Sequence, residues 1–156
     1  MKKLTPCLFL LAACALLTAR ASAIAVCSVA STGTAFGVYD TLTAANKDVV
    51  GTISVTCTGS IGDPVNYVIA LSPGAGSFVS RTMQAGAAQL NYNLYSDGAH
   101  TLIWGDGTGG TSTVSDSYSL SAASITRTYT VYGRIPGQSS PSAGNYSDTL
   151  VITLTY

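Results

Sequence analysis

The chain has 156 residues, 47% of them hydrophobic and only 9% charged, with 16 glycines. That is the length of one compact domain, with enough apolar residues to bury a core. Seven basic residues balance seven Asp, there is no Glu, and no basic cluster exists to follow a phosphate backbone, which argues against nucleic acid as a partner.

The N-terminus reads as a targeting segment. Lys2 and Lys3 precede an apolar run from Leu4 to Leu17, and Ala21-Ser22-Ala23 has the small-x-small pattern of a signal-peptidase site. The expectation is a signal peptide over 1–23 and an exported domain over 24–156; the apolar run is too short to anchor across a bilayer. Leu11-Ala12-Ala13-Cys14 resembles a lipoprotein box, in which Cys14 would be acylated and retained. Against that, the run continues through Leu16 and Leu17 to a good cleavage site, so Cys7 and Cys14 are expected to be discarded. Removal of Lys2, Lys3 and Arg20 leaves Lys47, Arg81, Arg127 and Arg134 against the seven Asp, a mildly acidic extracytoplasmic protein.

Cys27 and Cys57 are then the only cysteines of the mature chain. Each stands in a strand-like segment, VCSVAS and GTISVTC, and the pair is expected to form one disulfide between the first two strands. A reactive or metal-binding pair is the alternative, but neither CxxC spacing nor clustered His supports it.

Strands and turns continue along the chain, with no convincing helix. Val26 to Ser31 opens the domain, and Ala35 to Asp40 follows as a strand-like run with Gly37 inside it, suggesting a bulge or a switch between sheets. Ile53, Val55 and Cys57 share one face of the next strand. Asp63-Pro64 and Ser72-Pro73-Gly74 punctuate another, in which Val65, Tyr67, Ile69 and Leu71 alternate inward. Gly74 to Gly86 reads as a polar, glycine-rich excursion. Leu90, Tyr92 and Leu94 alternate with Asn91, Asn93 and Tyr95, and Ser96-Asp97-Gly98 turns the chain into Thr101 to Trp104 as a hairpin. Gly105 to Ser117 has the composition of an exposed loop. In the long strand Ile125 to Ile135, Ile125, Tyr129, Val131 and Ile135 face one way. Arg127 and Arg134 are expected to pair with Asp or with carbonyls, and Asp148 is one such candidate.

The last stretch, Gly144 to Tyr156, reads GNYSDTLVITLTY. Tyr146, Leu150, Ile152, Leu154 and Tyr156 fall on one side of a period-two pattern, the mark of a strand with one face in a core. No hairpin partner follows it in the sequence, so one edge is expected to be covered by something else. Strands and turns at this spacing predict an all-β, immunoglobulin-like antiparallel sandwich.

The same segments carry a resemblance. AFGVYD at 35–40, ISVTC at 53–57, YNLYSD at 92–97, WGDGTGGT at 104–111, YTVYGRIP at 129–136 and the terminal GNYSDTLVITLTY together resemble the spore coat protein U family, which includes secreted subunits of archaic chaperone-usher pili. The resemblance implies an immunoglobulin-like fold that lacks its last strand. It also implies the partners: a periplasmic pilus chaperone that donates the strand first, an outer-membrane usher, and a neighbouring pilin subunit that donates it later, by β-strand addition. Tyr146, Leu150, Ile152, Leu154 and Tyr156 would then edge the acceptor groove. A polymerising subunit of this kind would carry its own donor segment before the first cysteine. Cleavage after Ala23 leaves only Ile24, Ala25 and Val26 there, at most about 10 Å of chain, so the expectation is a subunit that accepts a strand without giving one, at the distal end of a head-to-tail fibre. Cleavage after Ala19 would lengthen that segment slightly.

Catalytic chemistry finds little footing, and no small-molecule substrate, cofactor or metal is expected. His100 is the only histidine, there is no G-x-S-x-G, and a histidine beside a turn reads as solvated. The Gly-Asp-Gly at 105–107 occurs once, without companion carboxylates for calcium. Tyr95, Trp104 and Tyr132 would form a sugar- or surface-binding patch if they pointed outward. The alternative to a pilus subunit is accordingly a self-contained secreted surface or spore-coat-like protein, or a carbohydrate-binding module.

Overall fold

The computed structural model describes residues 24–156; the segment predicted to be a signal peptide, with Cys7 and Cys14, lies outside the described residues. The described chain forms eight strands: β1 (Val26–Gly33), β2 (Lys47–Thr58), β3 (Pro64–Leu71), β4 (Arg81–Ala85), β5 (Ala88–Tyr95), β6 (Val114–Ser119), β7 (Ser124–Ile135) and β8 (Ile152–Thr155). They make two antiparallel sheets, one in the order β1-β2-β7-β5-β4 and the other in the order β6-β3-β8. This is an all-β sandwich of immunoglobulin type.

Period-two alternation builds the core between the sheets. β2 and β7 pair without a break from Lys47↔Ile135 to Thr58↔Ser124, which directs Ile53, Val55, Cys57, Val131 and Ile135 inward. They meet Val65, Tyr67, Ile69 and Leu71 of β3, all buried. Each such aliphatic side chain contributes about 1.5 to 3 kcal/mol on leaving water. Cys27 and Cys57 are direct partners in the β1–β2 register and are joined by a disulfide.

Three segments differ from the sequence reading. Ala35 to Asp40 is not a strand: Gly33 and Gly37 sit at φ of +70° and +66°, outside extended geometry, and they turn the run into a strap that sends Phe36 into the core. The excursion from Gly74 to Gly86 contains β4, because its polar composition hides a buried cation. Arg81 is 0% exposed and donates to Ser72 O from Nε (3.2 Å) and Nη2 (2.9 Å), to Trp104 O (2.7 Å) and to Asn93 Oδ1 (2.6 Å). Asn93 is buried with it, where alternation had placed it outside. The loop from Gly105 ends earlier than its composition indicates, since Val114–Ser119 is β6, paired with β3.

The polar residues are also placed differently. Trp104 is fully buried, its Nε1 donating to Ile69 O at 3.0 Å, so it belongs to no surface patch. The His100 side chain is 9% exposed rather than solvated, and lies edge-on between the rings of Tyr95 and Tyr132. Arg134 forms a two-pronged pair with Asp48, both contacts at 2.7 Å, and Arg127 lies 3.5 Å from Asp116. Asp148 serves neither arginine.

Candidate strand-accepting groove

On one side the sandwich stays open. β8 pairs with β3 through Leu71↔Ile152 to Val68↔Thr155, and its other edge has no strand beside it among the described residues. β1, the edge strand of the larger sheet, touches β8. Beyond that contact a cavity of about 1260 Å³ opens, lined by Ser31 and Gly33 of β1 and by Leu150 and Ile152, but not by Cys27 or Leu154. Its floor is core: Ile53, Leu71, Leu90, Tyr92, Val131 and Ile135. One wall is the strap after β1, residues 34–39, and the other is the chain from Pro141 to Ile152. Asp148 is the one charged residue of the lining.

The last segment is shorter as a strand than its alternation predicts, and it serves both sheets. Only Ile152–Thr155 is regular. Upstream, Ser147 exchanges two backbone hydrogen bonds with Gln84 of β4 (2.9 and 3.1 Å), so this part joins the five-stranded sheet. Between the two, Val151 O accepts from Ser72 N, and Val151 N donates to Ser72 Oγ, both at 2.9 Å. Asp148 explains the break. Its carboxylate turns inward to accept from Tyr92 Oη (2.7 Å), Ala75 N (3.1 Å) and Thr149 N (2.8 Å), a local competition with sheet pairing. Burial, helped by the hydrogen bond to Asp148, pushes the Tyr92 hydroxyl well above its ordinary value.

Of the five residues predicted to edge a groove, Leu150 and Ile152 line it half-buried, and Tyr146 lines it while its hydroxyl donates to Ser142 O at 2.8 Å. Leu154 packs against the core outside the cavity. Tyr156 is 57% exposed and lies outside both core and groove. Sequence reasoning missed Phe36, Met83 and the strap. Phe36 and Met83 are apolar residues in segments read as something other than core wall, and the one available signal was a large aromatic set between Gly33 and Gly37.

The family model described as Spore Coat Protein U domain matches residues 13–153. The chain belongs to the Spore Coat Protein U domain family. Protein U of Myxococcus xanthus is 35% identical over 132 residues, which cover 78% of this chain and 70% of that protein. Among solved structures, a chain from the crystal structure of the CsuC-CsuE chaperone-tip adhesion subunit pre-assembly complex, from archaic chaperone-usher Csu pili of Acinetobacter baumannii, is similar over 85% of this chain. The TM-score is 0.57 and the identity 17%, a likeness of fold. The Spore Coat Protein U domain described here spans 40% of that chain's length.

Proposed function

We propose that this domain is a structural or adhesive subunit of an extracellular chaperone-usher pilus, and that its work is to accept a strand. The observation that carries the reading is the groove: one β8 edge unpaired, a cavity floored by core residues beside it, and both walls already in place. Main-chain donors and acceptors on such an edge are unsatisfied until another strand covers them. The donor is the periplasmic pilus chaperone in transit and a neighbouring pilin subunit in the fibre, with the outer-membrane usher as the place of exchange. The fold shared with the Csu complex supports this, as does the family. The subunit passes through the periplasm behind its signal peptide and resides at the cell surface. It needs no cofactor and turns over no substrate.

A position at the tip follows from the chain's start if cleavage falls after Ala23. Ala25 is buried in the core, and Val26 and Cys27 already pair with Thr58 and Cys57. These residues serve the domain's own sandwich, which leaves none to donate. Sequencing the mature N-terminus tests this step: a start ten or more residues before Cys27 overturns it.

A self-contained surface or coat protein is the second reading, favoured by a sequence likeness to Protein U that exceeds the likeness to the pilus complex. One experiment separates the two. Ile24 to Tyr156 is exported to the periplasm with and without the cognate chaperone, and with a donor strand fused beyond Tyr156. The pilin reading expects aggregation or degradation alone and rescue by chaperone or fused strand. A stable monomer that the added strand leaves unchanged refutes it.

A further inference from the structure

The groove has an uneven floor, and the unevenness comes from a single side chain. Phe36 reaches in from the strap, 8% exposed, and stands edge-on to Tyr92 with ring centroids 5.8 Å apart. It lies over Gly133 of β7. A Cβ at position 133 would meet Phe36 Cζ at 2.9 Å and Val49 Cγ2 at 3.2 Å. Phe36 thus fills the place that an inward side chain of β7 would otherwise take, and it does so from the groove's own wall. The rest of the lining includes Ile53, Leu71, Val131 and Ile152, side chains of the sheets rather than of the strap, and these form its open stretch.

We infer that Phe36 determines which donor strands fit: the donated strand carries Gly, Ala or Ser at the inward position that meets Phe36, and a large aliphatic residue at the inward position that meets Ile53, Val131 and Ile152. The inference rests on the strand-accepting reading. Inward residues of a guest strand lie two apart, so neighbouring inward positions probe Phe36 and the open stretch separately. The lining's single charge, Asp148, already accepts hydrogen bonds from Tyr92, Ala75 and Thr149, so the guest's inward face is uncharged. A side chain larger than Ala against Phe36 overpacks a filled site, while a small one in the open stretch leaves a void.

The test is a set of fusions of the full mature chain, with an alternating Thr/Val strand joined beyond Tyr156 by a Gly/Ser linker. Each inward position is set in turn to Gly, Ala, Val, Leu or Phe, and thermal unfolding is followed. At one position, Leu and Phe are expected to lower Tm by about 4 to 11 °C relative to Ala. In the Phe36→Ala chain that penalty disappears. Phe36→Leu, a milder change should Phe36→Ala not fold, is expected to relieve part of it. If strands stabilise the domain but every inward position prefers large residues, or if neither Phe36 variant relieves the penalty, this inference is overturned while the strand-accepting reading stands. If no fused strand raises Tm at all, both fall.

Discussion

Removing the disulfide measures how far the groove's wall depends on a covalent staple. The perturbation is Cys27→Ala together with Cys57→Ala. The bond joins residues 30 apart in sequence, and closing a loop of that size restricts the unfolded chain by about 3.6 kcal/mol in the chain-entropy estimate. For a domain of this length, 1 kcal/mol moves Tm by about 3 to 4 °C, so the donor-complemented protein is expected to lose about 12 °C. β1 pairs with β2 alone, and its Ser31 and Gly33 line the groove. The loss therefore extends to capture: less of the variant should co-purify with the chaperone from the periplasm. The assay is thermal unfolding by circular dichroism of the double variant against the parent, oxidised and reduced, in the strand-fused form. Reduction of the parent should reproduce the variant's Tm. A drop below about 3 °C, or a reduced parent that differs from the variant, refutes the account in which the bond acts through chain entropy.

Four further outcomes follow from the same geometry. Arg81→Met strands the carbonyls of Ser72 and Trp104 without their donor and leaves Asn93 Oδ1 with the Leu94 amide alone, a cost of about 3 kcal/mol or more read from the denaturant midpoint; Arg81→Lys recovers little, because an ammonium lacks the planar fork that reaches all three. Ile152→Asp puts a carboxylate on the groove wall and should abolish chaperone capture, whereas Thr153→Asp, on the exposed side of β8, should leave it intact in a pull-down. The Tyr92 hydroxyl is raised by burial and by Asp148, and that of Tyr129 by burial and its hydrogen bonds to Tyr67 and Asp116. A raised group contributes stability that is fully present below its unfolded value, near 10, and lost as pH rises beyond it, so an alkaline titration should show stability falling above about pH 10 and Tyr92→Phe should flatten that limb. Asp48 is held below its ordinary value chiefly by its hydrogen bonds to Arg134. Its contribution is present above the unfolded value and lost as pH falls through the folded one, so Arg134→Gln should raise the acid-unfolding midpoint slightly, the pair being partly exposed.

Much of this architecture was legible because period two is a strong signal wherever one face is buried. β2, β3, β5 and β7 were read with their inward residues, and the partnership of Cys27 with Cys57 came from their being the two cysteines left in strand-like segments. Several of the misreadings share a cause: a polar side chain does what an apolar one usually does. Arg81 fills core because three oxygens converge on its guanidinium, and no local pattern announces three partners drawn from distant segments. His100 lies between two tyrosines supplied by β5 and β7. Asp148 interrupts the terminal alternation because Tyr92, from β5, meets it. Phe36 was visible as an aromatic, but its destination depended on two glycines at positive φ and on the gap left by a third, Gly133, nearly a hundred residues away.

The size of the groove bears on whether the domain is a finished object. If its cavity of about 1260 Å³ were dry and empty, the usual penalty of about 24 cal/mol per Å³ would come to about 30 kcal/mol, at least twice the whole stability of an ordinary domain. No sequence of this length carries that, so the space is either open to water, with Tyr146, Leu150 and Ile152 partly exposed along one side, or filled. Open, it is an apolar strip beside an unpaired strand edge, the combination that invites non-specific pairing. Filled by a strand, it satisfies both at once, since the same guest covers the core and pairs with β8. The terminal segment makes the coupling tighter. It is bonded to β4 of one sheet at Ser147 and to β3 of the other at Ile152–Thr155, so a strand laid along it meets both sheets. On the strand-accepting reading, closing the sandwich and binding the partner are one thermodynamic event, and the stability of this domain is a property of the pair.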